Sequence, residues 1–172
     1  MQRPILLAFL LVVAGCLQEE PDTSFPPHDE SKSAEDPDFD NLIVSGTLSS
    51  GGDEVRLDAK AHNQGPHTFK VSSICSPSWF EDMSDRGGRV PHREGMAYCE
   101  AFGLRDFKPG ERIPFAATWN GTLWDSKAAR YESAPAGNYT WRVAFEVFKG
   151  GAGTEYESRE QIRLAFDVTL RA

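Results

Sequence analysis

Three cysteines, four histidines and several clustered carboxylates are the side chains of this sequence best equipped for chemistry. A thiol can take a lipid, a second thiol or a metal, an imidazole can ligate or move a proton, and paired carboxylates can hold a cation or act as acid and base. Spacing narrows these options. A zinc site would draw on Cys75, Cys99, His62, His67 and His92, but the chain has no C-x-x-C and no two histidines at ligand spacing. His28 stands apart in an acidic stretch, and the other histidines lie near turns. Glu81, Asp82 and Asp85 precede Gly87 and read as a solvated turn, with a cation on Asp82 and Asp85 as the alternative. Asp36-Pro37-Asp38-Phe39-Asp40-Asn41 opens like a calcium loop, but Asn41 stands where the glycine belongs and Thr47 where the closing glutamate belongs. G-x-S-x-G, H-E-x-x-H and S-x-x-K are all absent. The expectation is a chain without catalytic residues, metal ligands or cofactor.

Cys16 is the exception. Met1-Gln2-Arg3 carries one positive charge, and Ile5 to Gly15 is an apolar run too short to span a bilayer comfortably. The run ends Val12-Val13-Ala14-Gly15-Cys16, small residues followed by cysteine, which looks like the lipobox of secreted lipoproteins. Cys16 would then become the mature N-terminus and carry a lipid, with an ordinary cleaved signal or an uncleaved anchor as alternatives. An odd number of thiols in an exported chain needs an explanation. With Cys16 acylated, Cys75 and Cys99 remain to pair in an oxidising compartment. Their bridge would close a loop of about 25 residues and contribute roughly 3.5 kcal/mol. Export also gives meaning to two acceptor patterns, Asn120-Gly121-Thr122 and Asn138-Tyr139-Thr140. Asn120 falls in a turn and is the better glycosylation candidate, while Asn138 begins a strand.

These residues need a scaffold. The chain has 172 residues, enough for one domain. Its 18 basic and 26 acidic residues give a net charge of −8, which disfavours a nucleic-acid partner. Nine acids and two bases fall within residues 1–40, leaving 17 acids and 16 bases beyond. Leu17 to Asp38 carries four prolines, eight of those acids and Phe25 as its only aromatic, so residues 16–40 are expected to be a disordered acidic tether. The domain organisation read from the sequence is a signal peptide over 1–15, the tether over 16–40 and a folded domain over 41–172.

From Leu42 the apolar residues alternate. Leu42, Val44 and Thr47-Leu48 form one run, and Val55, Leu57, Ala59 and Ala61, alternating with Arg56, Asp58, Lys60 and His62, a second. Phe69 and Val71 follow, then Ile113, Phe115, Ala117 and Trp119. Tyr139, Trp141, Val143, Phe145 and Val147 make a fifth run, and Ile162, Leu164, Phe166, Val168 and Leu170 a sixth. Alternation of this length marks strands with one buried face. Lys149-Gly150-Gly151-Ala152-Gly153 reads as the hairpin between the last two, and 76–110 and 120–137 as long irregular connections. The fold class is all-β: an antiparallel β-sandwich of about seven strands.

Several turns carry a family resemblance. Asn63-Gln64-Gly65 closes a strand, Phe69-Lys70-Val71 lies in the next, and Asp85-Arg86-Gly87-Gly88-Arg89-Val90 follows. Leu104 leads to Lys108-Pro109-Gly110-Glu111, Thr118-Trp119-Asn120-Gly121 ends a strand, and Ala134-Pro135-Ala136-Gly137-Asn138-Tyr139 opens another. Over residues 55–148 the chain resembles the intracellular proteinase inhibitor (BsuPI) family of immunoglobulin-like domains, whose members also occur in secreted and lipid-anchored proteins. The resemblance implies an immunoglobulin-like sandwich, and the Cys75/Cys99 pair looks like a feature of exported relatives. Val90 is followed by Pro91-His92-Arg93-Glu94 where such domains often place an aromatic, and no inhibitory residue carries over.

The function expected is non-catalytic: a lipid-anchored extracytoplasmic module for protein binding or a structural role, touching the membrane through its N-terminal lipid. Recognition is expected at Trp79, Phe80, Met83, Tyr98 and Trp124, aromatic or sulfur-bearing side chains on loops. The alternatives are a proteinase inhibitor presenting the Cys75–Cys99 loop, and a metal-binding or enzymatic domain.

Overall fold

The computed structural model describes residues 23–73, 79–84, 103–125, 128–150 and 156–172. The strands are β1 (Phe25–Glu35), β2 (Leu42–Gly52), β3 (Glu54–Asn63), β4 (Phe69–Ser73), β5 (Trp79–Ser84), β6 (Gly103–Phe107), β7 (Arg112–Trp119), β8 (Thr122–Asp125), β9 (Arg130–Ser133), β10 (Gly137–Gly150) and β11 (Tyr156–Leu170). No helix occurs among the described residues. One sheet has the order β1-β2-β3-β7, and the second β11-β10-β4-β6, with β5 also on β10. β8 and β9 form a separate hairpin. All strand pairings among the described residues are antiparallel.

The alternation places the core as expected. Val55, Leu57, Ala59 and Ala61 of β3 are buried, while Arg56, Asp58 and Lys60 between them are exposed. Phe166 and Leu164 of β11 and Trp141, Val143 and Phe145 of β10 face them from the other sheet. Two sheets each greasy on one side must stack, and here they do. β10 and β11 pair antiparallel from Gly137↔Leu170 to Gly150↔Tyr156, as a hairpin requires, while residues 151–155, which include most of the expected glycine-rich turn, lie outside the described residues. Tyr139, at the start of β10, donates its hydroxyl to the Pro135 carbonyl at 2.5 Å and pins the corner before the strand.

Five strands were not foreseen. β1 is the largest correction, because it occupies Phe25–Glu35 inside the expected tether. It pairs with β2 over nine residue pairs, from Phe25↔Gly52 to Glu35↔Ile43. A strand at a sheet edge is held by backbone bonds along one side, so a charged, proline-containing sequence can still form one. Pro26 and Pro27 sit in the register shift between Phe25 and His28, where a missing N–H does no harm. Phe25 is buried and meets Trp119 edge-on at 5.3 Å. Lys32 turns inward, pairs with Glu30 at 2.9 Å, donates to the Ala165 carbonyl on the edge of β11, and lies over the Phe166 ring.

The calcium-like segment is the β1–β2 connection. Asp36 accepts a bond from the Asp38 N–H at 2.9 Å, Asn41 adopts φ 57°, and Phe39 between them is fully buried against Phe69. The expected irregular stretches 76–110 and 120–137 contain β5, β6, β8 and β9. These strands have four to six residues each, too few to show a convincing period.

Candidate functional site

The solvent side of the first sheet carries the candidate site. Register places its outward residues in rows across four strands. Ser31, Thr47, Asp58 and Ala116 form one row, and Ser33, Ser45, Lys60 and Pro114 the next. An open groove of about 730 Å³ lies along these rows. The small Ser, Thr, Ala and Pro side chains leave the space, while longer ones stand around it. Gly46 helps from below: a Cβ there would lie 3.0 Å from Phe166 Cζ and 3.1 Å from Leu164 Cδ1, so glycine lets the second sheet approach closely beneath the groove.

The groove is polar and of mixed charge. Ser31 and Thr47 share a hydroxyl hydrogen bond at 3.0 Å. Arg56 forks onto Asp58, with Nε–Oδ2 at 2.5 Å and Nη2–Oδ1 at 2.8 Å. That hydrogen-bonded guanidinium, more than its charge alone, holds the Asp58 carboxyl below the usual carboxylate range, and Asp58 in turn tightens Arg56's hold on its proton. Asp58 is therefore an acceptor at any physiological pH. Lys60 stands in the next row on the same strand and has no carboxylate partner among the described residues. Beyond it, His62 faces Arg112 across the β3–β7 ladder. Partial loss of water around the ring, then the positive charges of Arg112 and Lys60, push the imidazole pKa down. The result is a strip of hydroxyl donors and acceptors with a carboxylate and an ammonium two residues apart on one strand.

The residues expected to recognise a partner divide differently. Trp79 and Met83 are not loop residues; they are buried on β5, where Trp79 packs on Phe145 at 5.1 Å and Phe115 at 5.5 Å. Their strand pairs with the long β10, and that register turns both side chains into the core. Phe80 lies on β5 opposite Ala144, but its side chain lies outside the described residues, as does the whole of Tyr98. Trp124 is half-buried on β8, directly opposite Tyr131 of β9, with the rings edge-on at 5.1 Å. Tyr131, 38% exposed, is the exposed large hydrophobic of the described residues.

Cys16, Cys75 and Cys99 lie outside the described residues, and with them the expected lipid, the disulfide and the proposed inhibitor loop. Asn120 and Asn138 are both exposed. Asn120 Oδ1 accepts from the Thr122 hydroxyl at 2.7 Å, and Asn138 Oδ1 from the Thr169 hydroxyl at 3.0 Å.

Two elements of the surface escaped sequence reasoning. Ser31 and Ser33, one wall of the groove, belong to β1; their alternation with the half-buried Lys32 and Ala34 was the available signal, masked by the acidic composition. Glu146 of β10 is buried on the face opposite the core, with Ser72 Oγ at 3.5 Å and Gln161 Nε2 at 3.4 Å from its carboxylate. A glutamate between Phe145 and Val147 gives no sequence sign of burial on that side.

No protein-family model matches the chain, and no curated protein does either.

Proposed function

We propose that this chain is an exported, lipid-anchored β-sandwich that binds a protein partner through the solvent face of the β1-β2-β3-β7 sheet, without turning it over. The groove along Ser31, Ser33, Ser45, Thr47, Asp58 and Lys60 carries this reading. Outward residues along a strand recur about every 6.8 Å, the same interval at which an extended polypeptide presents side chains on one face. Hydroxyls that both donate and accept suit backbone amides, and Asp58 and Lys60 offer one site for each sign of charge. Cys16 behind Ala14-Gly15 supports lipid attachment and the extracytoplasmic location.

The body is read as immunoglobulin-like. Support comes from the two facing sheets and from the Tyr139–Pro135 bond, which matches the tyrosine corner that precedes the penultimate strand in such domains.

Site-specific photocrosslinking tests the binding reading. A benzophenone amino acid replaces Ser45 or Thr47 in the groove, or Arg163 on the exposed face of β11, in cells that make the native chain. The account expects one protein adduct of discrete mass from the groove positions, lost on Lys60→Glu and absent from Arg163. No groove adduct, or equal adducts from Arg163, would contradict it.

A further inference from the structure

We propose that the β8–β9 hairpin seats Trp124 and Tyr131 in the headgroup layer of the bilayer that holds the Cys16 lipid. This rests on the lipid-anchored reading and adds an orientation to it.

The chain enters the fold at one end of the sandwich. Ser24 and Arg171 form a backbone bridge at 3.0 and 2.9 Å, so the first strand starts beside the end of the last. Phe25 there packs on Trp119, immediately before the β7–β8 connection. Gly121 in that connection has φ 77°, and a Cβ at its position would lie 3.6 Å from Phe25 Cζ and 3.5 Å from Leu170 Cδ1. The Ala134 N–H bonds to the Gly121 carbonyl at 2.7 Å and closes the hairpin base at the same place. The hairpin therefore springs from the end of the sandwich at which the N-terminal chain arrives.

Length supplies the second argument. Only residues 17–24 separate Cys16 from Phe25. Fully extended, they reach no more than about 30 Å, and as a flexible coil roughly 17 Å. The entry end of the sandwich would thus be held within about 30 Å of the lipid.

Chemistry supplies the third. Leu123 is buried and fixes the hairpin to the core, which turns the neighbouring Trp124–Tyr131 pair to the other side of the ribbon. Tryptophan and tyrosine combine an apolar ring with one polar tip, and favour the membrane–water boundary over either bulk phase. Arg130 and Glu132, which flank Tyr131, pair with each other at 2.8 Å, so neither brings an unpaired charge to the interface. Trp79, Trp119 and Trp141 are buried, which leaves Trp124 as the half-exposed indole among the four in the chain.

That distribution makes the test selective. The lipidated chain is reconstituted into phosphatidylcholine vesicles whose acyl chains carry bromine near the headgroup, and its tryptophan emission is compared with that in unbrominated vesicles. The expected result is quenching of up to about a quarter of the emission, since one indole of four is reached, and its disappearance in Trp124→Phe. Tyr131→Ser, at an exposed position, should keep the fold and lower the quenching at least twofold. No quenching of the anchored wild-type chain, or undiminished quenching in Trp124→Phe, overturns the proposal and leaves the anchor standing. Membrane association undiminished in Cys16→Ala would overturn the anchor and this orientation together.

Discussion

Asn63 is buried at the end of β3, where its carboxamide meets three backbone groups. Nδ2 donates to the His67 carbonyl at 2.8 Å and the Phe107 carbonyl at 3.0 Å, and Oδ1 accepts from the Gly65 N–H at 3.1 Å. The Asn63 backbone adds bonds to Glu111 and Gly110. One short side chain thus ties β3 to the crossover into the second sheet and to the β6–β7 turn. Asn63→Ala strands buried groups on several sides, and should cost about 3 kcal/mol by urea denaturation. His62, one residue earlier, makes a pH-dependent prediction. Its folded pKa lies below the ordinary 6.5, so as pH falls through that value the unfolded chain takes the proton more readily. Any contribution of His62 to stability is therefore present above about pH 6.5 and lost on acidification. An NMR titration should place its midpoint below 6.5, and Arg112→Gln should move that midpoint upward.

At the level of strands, Phe25 is the test of whether β1 belongs to the body. Its ring fills space against Trp119 and near Leu170, and Phe25→Ala should cost about 3–5 kcal/mol, where the same change in a solvated tether would cost nothing measurable. The sequence announced the strands that bury one face over several alternating positions. β3, β10 and β11 were plain for that reason, and so was the hairpin joining the last two. β1 was hidden because an edge strand needs its backbone more than its side chains, and Glu30, Lys32 and Asp29 look like linker until β2 and β11 are beside them. β5 was hidden by length, which also misplaced Trp79 and Met83 on a loop surface. The groove was half legible: Asp58 and Lys60 alternate with the apolar residues of β3 and so fall on its outward face, but the hydroxyl rows of β1 and β2 become a surface only through register.

On the scale of the whole molecule, moving the start of the fold to β1 redraws the charge map. Of the 26 acids only Glu19, Glu20 and Asp22 precede Phe25, and of the 18 bases only Arg3. The remaining 23 acids and 17 bases give the rest of the chain a net charge of −6, so the acidity belongs chiefly to the domain and not to a tail. A body of that sign is repelled by anionic lipid, so under the proposed lipid anchoring attachment would fall to the N-terminal lipid and contact to uncharged aromatic chemistry. Under the same proposal, the few residues between Cys16 and Phe25 would keep the entry end of the sandwich near the membrane. These consequences all require residues 25–35 to be a strand of that sheet. Hydrogen–deuterium exchange of the mature chain measures this directly. The account predicts amides in His28–Glu35 protected to an extent comparable with β2. Free-chain exchange through residue 40, with protection beginning only at Leu42, would contradict it.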